Sequence, residues 1–244
     1  MLAAPVLALV PGLNNTRAVW DGVVAALGDR VQCVAVDCPA LDTVEAVADA
    51  LLAQLPQRFW LAGFSFGGYV ALAMLERAPQ RVAGLALVNS SARADTDAQR
   101  ATRAQSIAMA QAGGHESMMA AQAPVVFHPA SLSNAALMRV RNAMVRDYGP
   151  ERFVAHLRAC ASRPDRSVVL AEAACPLLVL AAADDRVVPT ALQKLTAEAL
   201  PRARFVEIAD AGHMLPIEQA QALAAALQSW LAEFGVPATK ETLP

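Results

Sequence analysis

The sequence predicts an α/β fold: a mostly parallel central sheet, buried on both faces and flanked by helices. Three observations carry this. Short, uninterrupted apolar runs alternate with segments of helical periodicity. Hydrophobic residues make up 56% of the chain and charged residues only 17%, which suits strands hidden beneath helices. At 244 residues the chain forms one large domain, or one domain carrying an insertion, with room for a sizeable core.

The elements follow in order. Residues 5–10 are an apolar strand, and Met1 to Val10 reads as that strand because a signal peptide would need a basic start. Pro11-Gly12-Leu13-Asn14-Asn15-Thr16 ends it, and Asn15 or Thr16 is placed to cap a helix to about Leu27. Val31 to Val36 is the second strand, and Thr43 caps a helix to about Leu55. Residues 58–62 form a third strand, a helix runs on to Arg77, and Val82 to Val88 is the fourth strand. From residue 93 to 165 the rhythm changes. Arginine-dotted helical segments near 96–111, 115–123, 133–147 and 150–161 are punctuated by Gly113-Gly114, Pro124, Pro129 and Gly149-Pro150. The only strand expected there is Val125-Val126-Phe127. Residues 93–165 therefore read as a helical cap inserted in a core made of 1–92 and 166–244. The core resumes with a helix near 166–173, a strand from Pro176 to Ala182, a helix over 190–200, a strand from Arg204 to Ile208 and a helix over 216–234. The tail from Gly235 is expected to fray.

Composition excludes several classes of function. Net charge is −2 with no basic run, so no nucleic-acid partner is expected. No apolar run approaches the ~20 residues of a membrane span, so no membrane partner is expected either. Cys33, Cys38, Cys160 and Cys175 show no C-x-x-C spacing and no accompanying histidine pattern. They read as free thiols of a cytoplasmic protein, and no metal or organic cofactor is implied. A monomer or a homodimer fits equally well.

The chain is organised around Gly63-Phe64-Ser65-Phe66-Gly67, set between a strand and a helix. A G-x-S-x-G in that setting is a nucleophile elbow, a turn tight enough to strain the serine and demand small neighbours. Ser65 then projects from the C-terminal edge of the sheet. A serine nucleophile needs a base, and the base needs an orienting acid. Of His115, His128, His156 and His213, only His213 follows a late core strand, with Gly212 before it to free the loop. Asp184 and Asp185 both follow a strand, whereas Asp210 lies too close to His213 in the chain to turn back to its Nδ1. An oxyanion hole needs two converging N–H groups. Phe66, after the nucleophile, and Leu13, in the first loop, are the candidates.

Taken together, these motifs resemble the α/β-hydrolase superfamily over nearly the whole chain. Asp185-Arg186-Val187-Val188-Pro189 is similar to the family's acid loop, whose aspartate lies four residues before a proline, and this selects Asp185 over Asp184. Gly212 to Gln219 matches a G-H-x-x-x-x-E-Q motif. The inserted cap is similar to that of small carboxylesterases, including methyl esterases of pimeloyl carrier-protein esters. The resemblance implies an α/β-hydrolase fold and cleavage of small-molecule esters by Ser65, His213 and Asp185. C–C bond hydrolysis, lyase, amidase or perhydrolase chemistry and a slow ligand receptor stay open, because a fold does not choose among them.

Two departures stand out. Pro11-Gly12 replaces a common His-Gly pair, and the loop from Asp37 to Thr43 lacks the family's glycines. Apolar cap residues (Ile107, Met109, Met118, Met119, Val125, Phe127) are expected to shape a pocket or to pack among themselves. Arg163 and Asp165, near the cap exit, are candidates to contact a polar substrate, but read first as solvated surface.

Overall fold

The computed structural model describes residues 6–236. The expected strand start at Pro5 and the frayed tail beyond Val236 lie outside the described residues. The chain opens with β1 (Val6–Val10), followed by α1 (Asp21–Leu27), β2 (Gln32–Ala35), α2 (Val44–Leu52), β3 (Phe59–Phe64), α3 (Phe66–Arg77) and β4 (Val82–Val88). Three cap-region helices come next: α4 (Asp97–Met109), α5 (His115–Val126) and α6 (Ala135–Ser162). After them come α7 (Ser167–Ala171), β5 (Leu177–Ala182), α8 (Thr190–Glu198), β6 (Ala203–Ile208), α9 (Leu215–Glu218) and α10 (Ala220–Glu233).

The six strands form one sheet in the order β2-β1-β3-β4-β5-β6, and every described pairing is parallel. Alternation along β1 explains why it must be apolar throughout. Val6, Ala8 and Val10 face a core closed by α2 and α3, while Leu7 and Leu9 face the core beneath α1 and α10. Among the described residues no helix is long and apolar enough to cross a membrane. The four cysteines are free, with Cys38 and Cys160 buried and Cys33 and Cys175 half-buried.

Several boundaries differ from the sequence reading, each for a physical reason. Val125 and Val126 are not in a strand but in the last turn of α5, which contains Pro124. Their β-branched preference is a weak bias that the packing of α5 overrides. Thr43 caps α2 through its Oγ1, which accepts the Ala46 N–H at 3.2 Å. Thr16 instead opens a 3-10 turn over Arg17–Trp20 and makes no side-chain cap bond. The helix expected over 216–234 breaks at Gln219, which leaves helical geometry (φ −132°, ψ 53°). In α6, Gly149 takes φ 73° and kinks the helix just before Pro150, so the two expected helices lie end to end. Ala110, Met118, Met119, Val145, Tyr148, Phe153, Val154 and Leu157 form an apolar cluster of their own in the α4–α6 region.

Candidate active site

Ser65 occupies the turn from β3 into α3 with φ 51° and ψ −114°, a region that non-glycine residues rarely enter. The surroundings force it there. The Ser65 N–H donates to the Val88 carbonyl at 2.9 Å, and its own carbonyl accepts the Gly68 N–H at 2.9 Å and the Ser90 hydroxyl at 2.8 Å. The turn also runs hard against β1: a Cβ on Gly67 would lie 2.3 Å from the Val10 carbonyl oxygen. Only glycine fits, which is the physical content of the small residue two places after the serine.

His213 stands on the loop after β6, buried, with its Nε2 2.9 Å from Ser65 Oγ. Its Nδ1 lies 3.0 and 2.9 Å from the two carboxylate oxygens of Asp185 on the loop after β5. Because a carboxylate can only accept, Nδ1 carries the proton and Nε2 is left to accept from the Ser65 hydroxyl. Asp185 Oδ1 also accepts the N–H groups of Val187 at 2.8 Å and Val188 at 2.9 Å. The acid is thus oriented by its own loop before it meets the imidazole. Its neighbour Asp184 points outward to His128 Nε2 at 3.7 Å, with its side chain half exposed. Asp210 is exposed and takes a left-handed φ of 55°.

Leu13 and Phe66 line the same cavity as Ser65 and His213. The Phe66 N–H opens α3, where a helix has no carbonyl of its own to offer. Among the described residues no acceptor is present for the Phe66 or the Leu13 N–H. The cavity, about 480 Å³, has the size of a small-molecule site. Of the apolar cap residues singled out above, Met119 and Val125 face it. Ile107 and Met118 belong to the cap cluster, Met109 is half exposed, and Phe127 is fully buried in the core. Arg163 corrects its reading as surface: it is buried and pairs with Asp95 at 2.6 Å. Asp165 is exposed, and its Oδ1 accepts the Ser167 N–H at 2.8 Å.

Several positioning residues escaped the sequence reading because their partners are far away along the chain. Asn89, fully buried after β4 with φ 45°, accepts the Ala182 N–H at 2.8 Å. It also donates to the carbonyls of Gly212 at 3.3 Å and His213 at 2.9 Å, tying β5 to the histidine loop. Glu218 accepts the N–H of Gly212 at 3.0 Å and of His128 at 2.8 Å, which joins that loop to the end of α5. Gly212 serves close approach more than loop freedom, since a Cβ there would meet the His128 nitrogen at 2.6 Å. On the opposite wall, Asn14 takes φ 59° and its Oδ1 lies 2.8 Å from His115 Nε2 of α5. The loop that carries Leu13 is therefore tied to α5.

His156 of α6 braces the elbow from above. Its ring stacks on Phe66 at a centroid distance of 4.5 Å and an angle of 23°. Its Nε2–H donates to the Pro39 carbonyl at 2.7 Å, so Nδ1 accepts from the Tyr148 hydroxyl. Burial lowers its pKa from the usual 6.5 to about 4. The unfolded chain therefore takes up this proton before the folded one does, and stability is lost as pH falls from about 6.5 to about 4. The expected loss is on the order of 3 kcal/mol, above the pH at which most carboxylate ion pairs give way. Thermal melts of the wild type and His156→Gln at pH 7 and pH 4.5 check this. The drop in Tm should be clearly smaller in the variant, and equal drops would count against it.

The fold and this geometry define a class. The chain belongs to the alpha/beta hydrolase family, which it matches over residues 7–226, and it is a hydrolase. Over 257 aligned residues it is 28% identical to "Putative carbamate hydrolase RutD" of Klebsiella pneumoniae subsp. pneumoniae, covering 98% of this chain and 95% of the relative. A shorter stretch of 95 residues is 36% identical to the pimeloyl-[acyl-carrier protein] methyl ester esterase of Nitrosomonas europaea, covering 36% of this chain and 38% of that protein. Among solved structures, a thermophilic esterase from Thermogutta terrifontis superposes with a TM-score of 0.89 at 27% identity, over 94% of this chain and 90% of that one.

Proposed function

We propose that the chain is a serine hydrolase of carboxylic esters. The observation that carries this is the unbroken hydrogen-bond series Asp185–His213–Ser65 opening onto a cavity. Ser65 Oγ attacks the acyl carbon while His213 Nε2 takes its proton, and Asp185 stays ionised beside the imidazolium. The Leu13 and Phe66 N–H groups receive the developing oxyanion. The imidazolium then protonates the leaving alcohol, and an acyl-enzyme remains. Water attacks the acyl carbon as Nε2 takes its proton, and the acid leaves as Ser65 regains its hydrogen. Residues 93–165 act in this reading as a cap that roofs the site and excludes water.

The name of the Klebsiella relative favours a second substrate class, carbamates, whose carbonyl carbon the same groups would attack. A cytoplasmic setting fits four free cysteines. The test is turnover of p-nitrophenyl esters from acetate to dodecanoate. Hydrolysis with an optimum at short or medium acyl length is expected from a cavity of about 480 Å³. Turnover of carbamates without turnover of any ester would overturn the ester assignment.

A further inference from the structure

The wall of the cavity contains a charge that the reaction above does not use. Arg141, on α6, lines the cavity and is only 6% exposed. Its guanidinium donates to the Met119 carbonyl and, at 3.4 Å, to Asn142 Oδ1. Among the described residues no carboxylate forms an ion pair with it. The protein treats its other buried arginines differently. Arg163 is neutralised by Asp95, and Arg166 by Glu45 and, at 2.9 Å, by Glu76. Arg103, which also lines the cavity, is held by the same Asp95. Asp95 thus serves two arginines, so this cluster adds a further positive charge close by. Among the described residues no aspartate or glutamate lines the cavity.

An unpaired buried cation is costly, because it loses hydration and gains no counter-charge. Burial pulls the pKa of Arg141 down, as it does for a cation without a partner. A hydrophobic residue would pack the same position without that penalty. The arrangement makes physical sense once an anion enters: the guanidinium then gains a charge-assisted, planar partner in a place that excludes water. Arg141 already donates to the Met119 carbonyl and, over a long 3.4 Å, to Asn142 Oδ1, so the N–H groups that remain suit a two-oxygen carboxylate better than a phosphate with three oxygens to satisfy.

We propose that Arg141 is a specificity residue that binds a free carboxylate on the substrate, so that the preferred esters are those carrying a second, ionised carboxyl group. The inference rests on the ester-hydrolase reading for its chemistry, but the binding site itself does not depend on it.

The experiment compares matched ester pairs that differ in one charge, with the charge on either side of the scissile bond. Mono-p-nitrophenyl glutarate is set against p-nitrophenyl valerate, and 4-acetoxybenzoate against 4-acetoxybenzamide. The wild type should prefer the charged member of at least one pair in kcat/KM. Arg141→Met should lower that charged-to-neutral ratio by about 10- to 100-fold, and Arg141→Lys by less. In parallel, glutarate and neutral glutaramide are titrated into Ser65→Ala, where turnover plays no part. Glutarate should bind more tightly than glutaramide and than inorganic phosphate, and adding Arg141→Met should weaken it by about 10- to 100-fold. Ester turnover with no preference for charge in either pair would overturn the carboxylate site and leave the hydrolase reading standing. Glutarate binding that depends on Arg141, with every ester untouched, would do the reverse. If Arg141→Met fails to fold, the wild-type ratios and the Ser65→Ala titrations still decide, and indifference to charge in both would sink the proposal. Tighter binding of phosphate than of glutarate would reassign the site to a different anion.

Discussion

Ser65→Ala is expected to lower kcat on p-nitrophenyl esters by about 10⁵- to 10⁶-fold, with little change in Tm. The size follows from what is removed. In the proposed mechanism, loss of Oγ removes the covalent route and leaves His213 no hydroxyl to deprotonate, so that only the Leu13 and Phe66 N–H groups and the cavity would assist attack by water. The small effect on stability follows from the backbone. Alanine keeps a Cβ at φ 51°, so the strain of the turn is unchanged, and the bonds that hold the turn are made by the main chain and Ser90. Ser65→Gly tests the strain separately. It should be equally inactive yet about 1 kcal/mol more stable than Ser65→Ala, because glycine enters this region freely. Steady-state assays, melts and covalent labelling of the wild type by a fluorophosphonate measure all three effects. Activity of Ser65→Ala within about tenfold of wild type would point to a different nucleophile.

The parts of this molecule that were legible in the sequence are those set by local chemistry. Strands buried on both faces must be apolar at every position, so Val6–Val10 and Leu177–Ala182 stand out in the sequence. The elbow is legible because a sharp strand-to-helix turn around a serine demands small neighbours, and at Gly67 a Cβ would strike the Val10 carbonyl of β1. His213 stands out as the one histidine on a loop after a late strand. Asp184 and Asp185 both follow a strand, and only the resemblance to the family's acid loop selects Asp185. The structure places His213 and Asp185 in one hydrogen-bond series with Ser65. Asn89 was invisible for the opposite reason: its value lies in a carbonyl 124 positions away, at His213. Arg141 was one of several arginines on a helical stretch, and its isolation from carboxylates exists only once α5 and α6 are docked. Arg163 was misread in the same way, because only the fold brings Asp95 to it and lays the Tyr69 ring beneath it at 3.9 Å. The mistaken strand at Val125 came from propensity unsupported by any strand to pair with.

Asp185→Asn is expected to lower kcat by about 10³- to 10⁴-fold near neutral pH while leaving the protein folded. The direction follows from the hydrogen bonds on the carboxylate. Val187 and Val188 both direct N–H groups at Oδ1, which can only be an oxygen in the variant. The amide nitrogen of the introduced asparagine must therefore take the place of Oδ2, which faces His213 Nδ1 at 2.9 Å. An amide donates there where the carboxylate accepted. That contact favours the tautomer with Nδ1 unprotonated and Nε2 protonated, in which Nε2 can no longer take the proton of Ser65, and it leaves Oδ1, at 3.0 Å, as the one acceptor for an Nδ1–H. The imidazolium formed during attack also loses its counter-charge. Asp185→Ala separates this from a purely structural role. It leaves the two valine N–H groups without their acceptor and should cost about 1–3 kcal/mol of stability, where the asparagine variant costs less. If Asp185 only shaped its loop, activity would follow stability, with the asparagine variant active and the alanine variant impaired. If it sets the tautomer, the asparagine variant is stable and inactive, and kcat measured beside Tm for the two variants tells these apart.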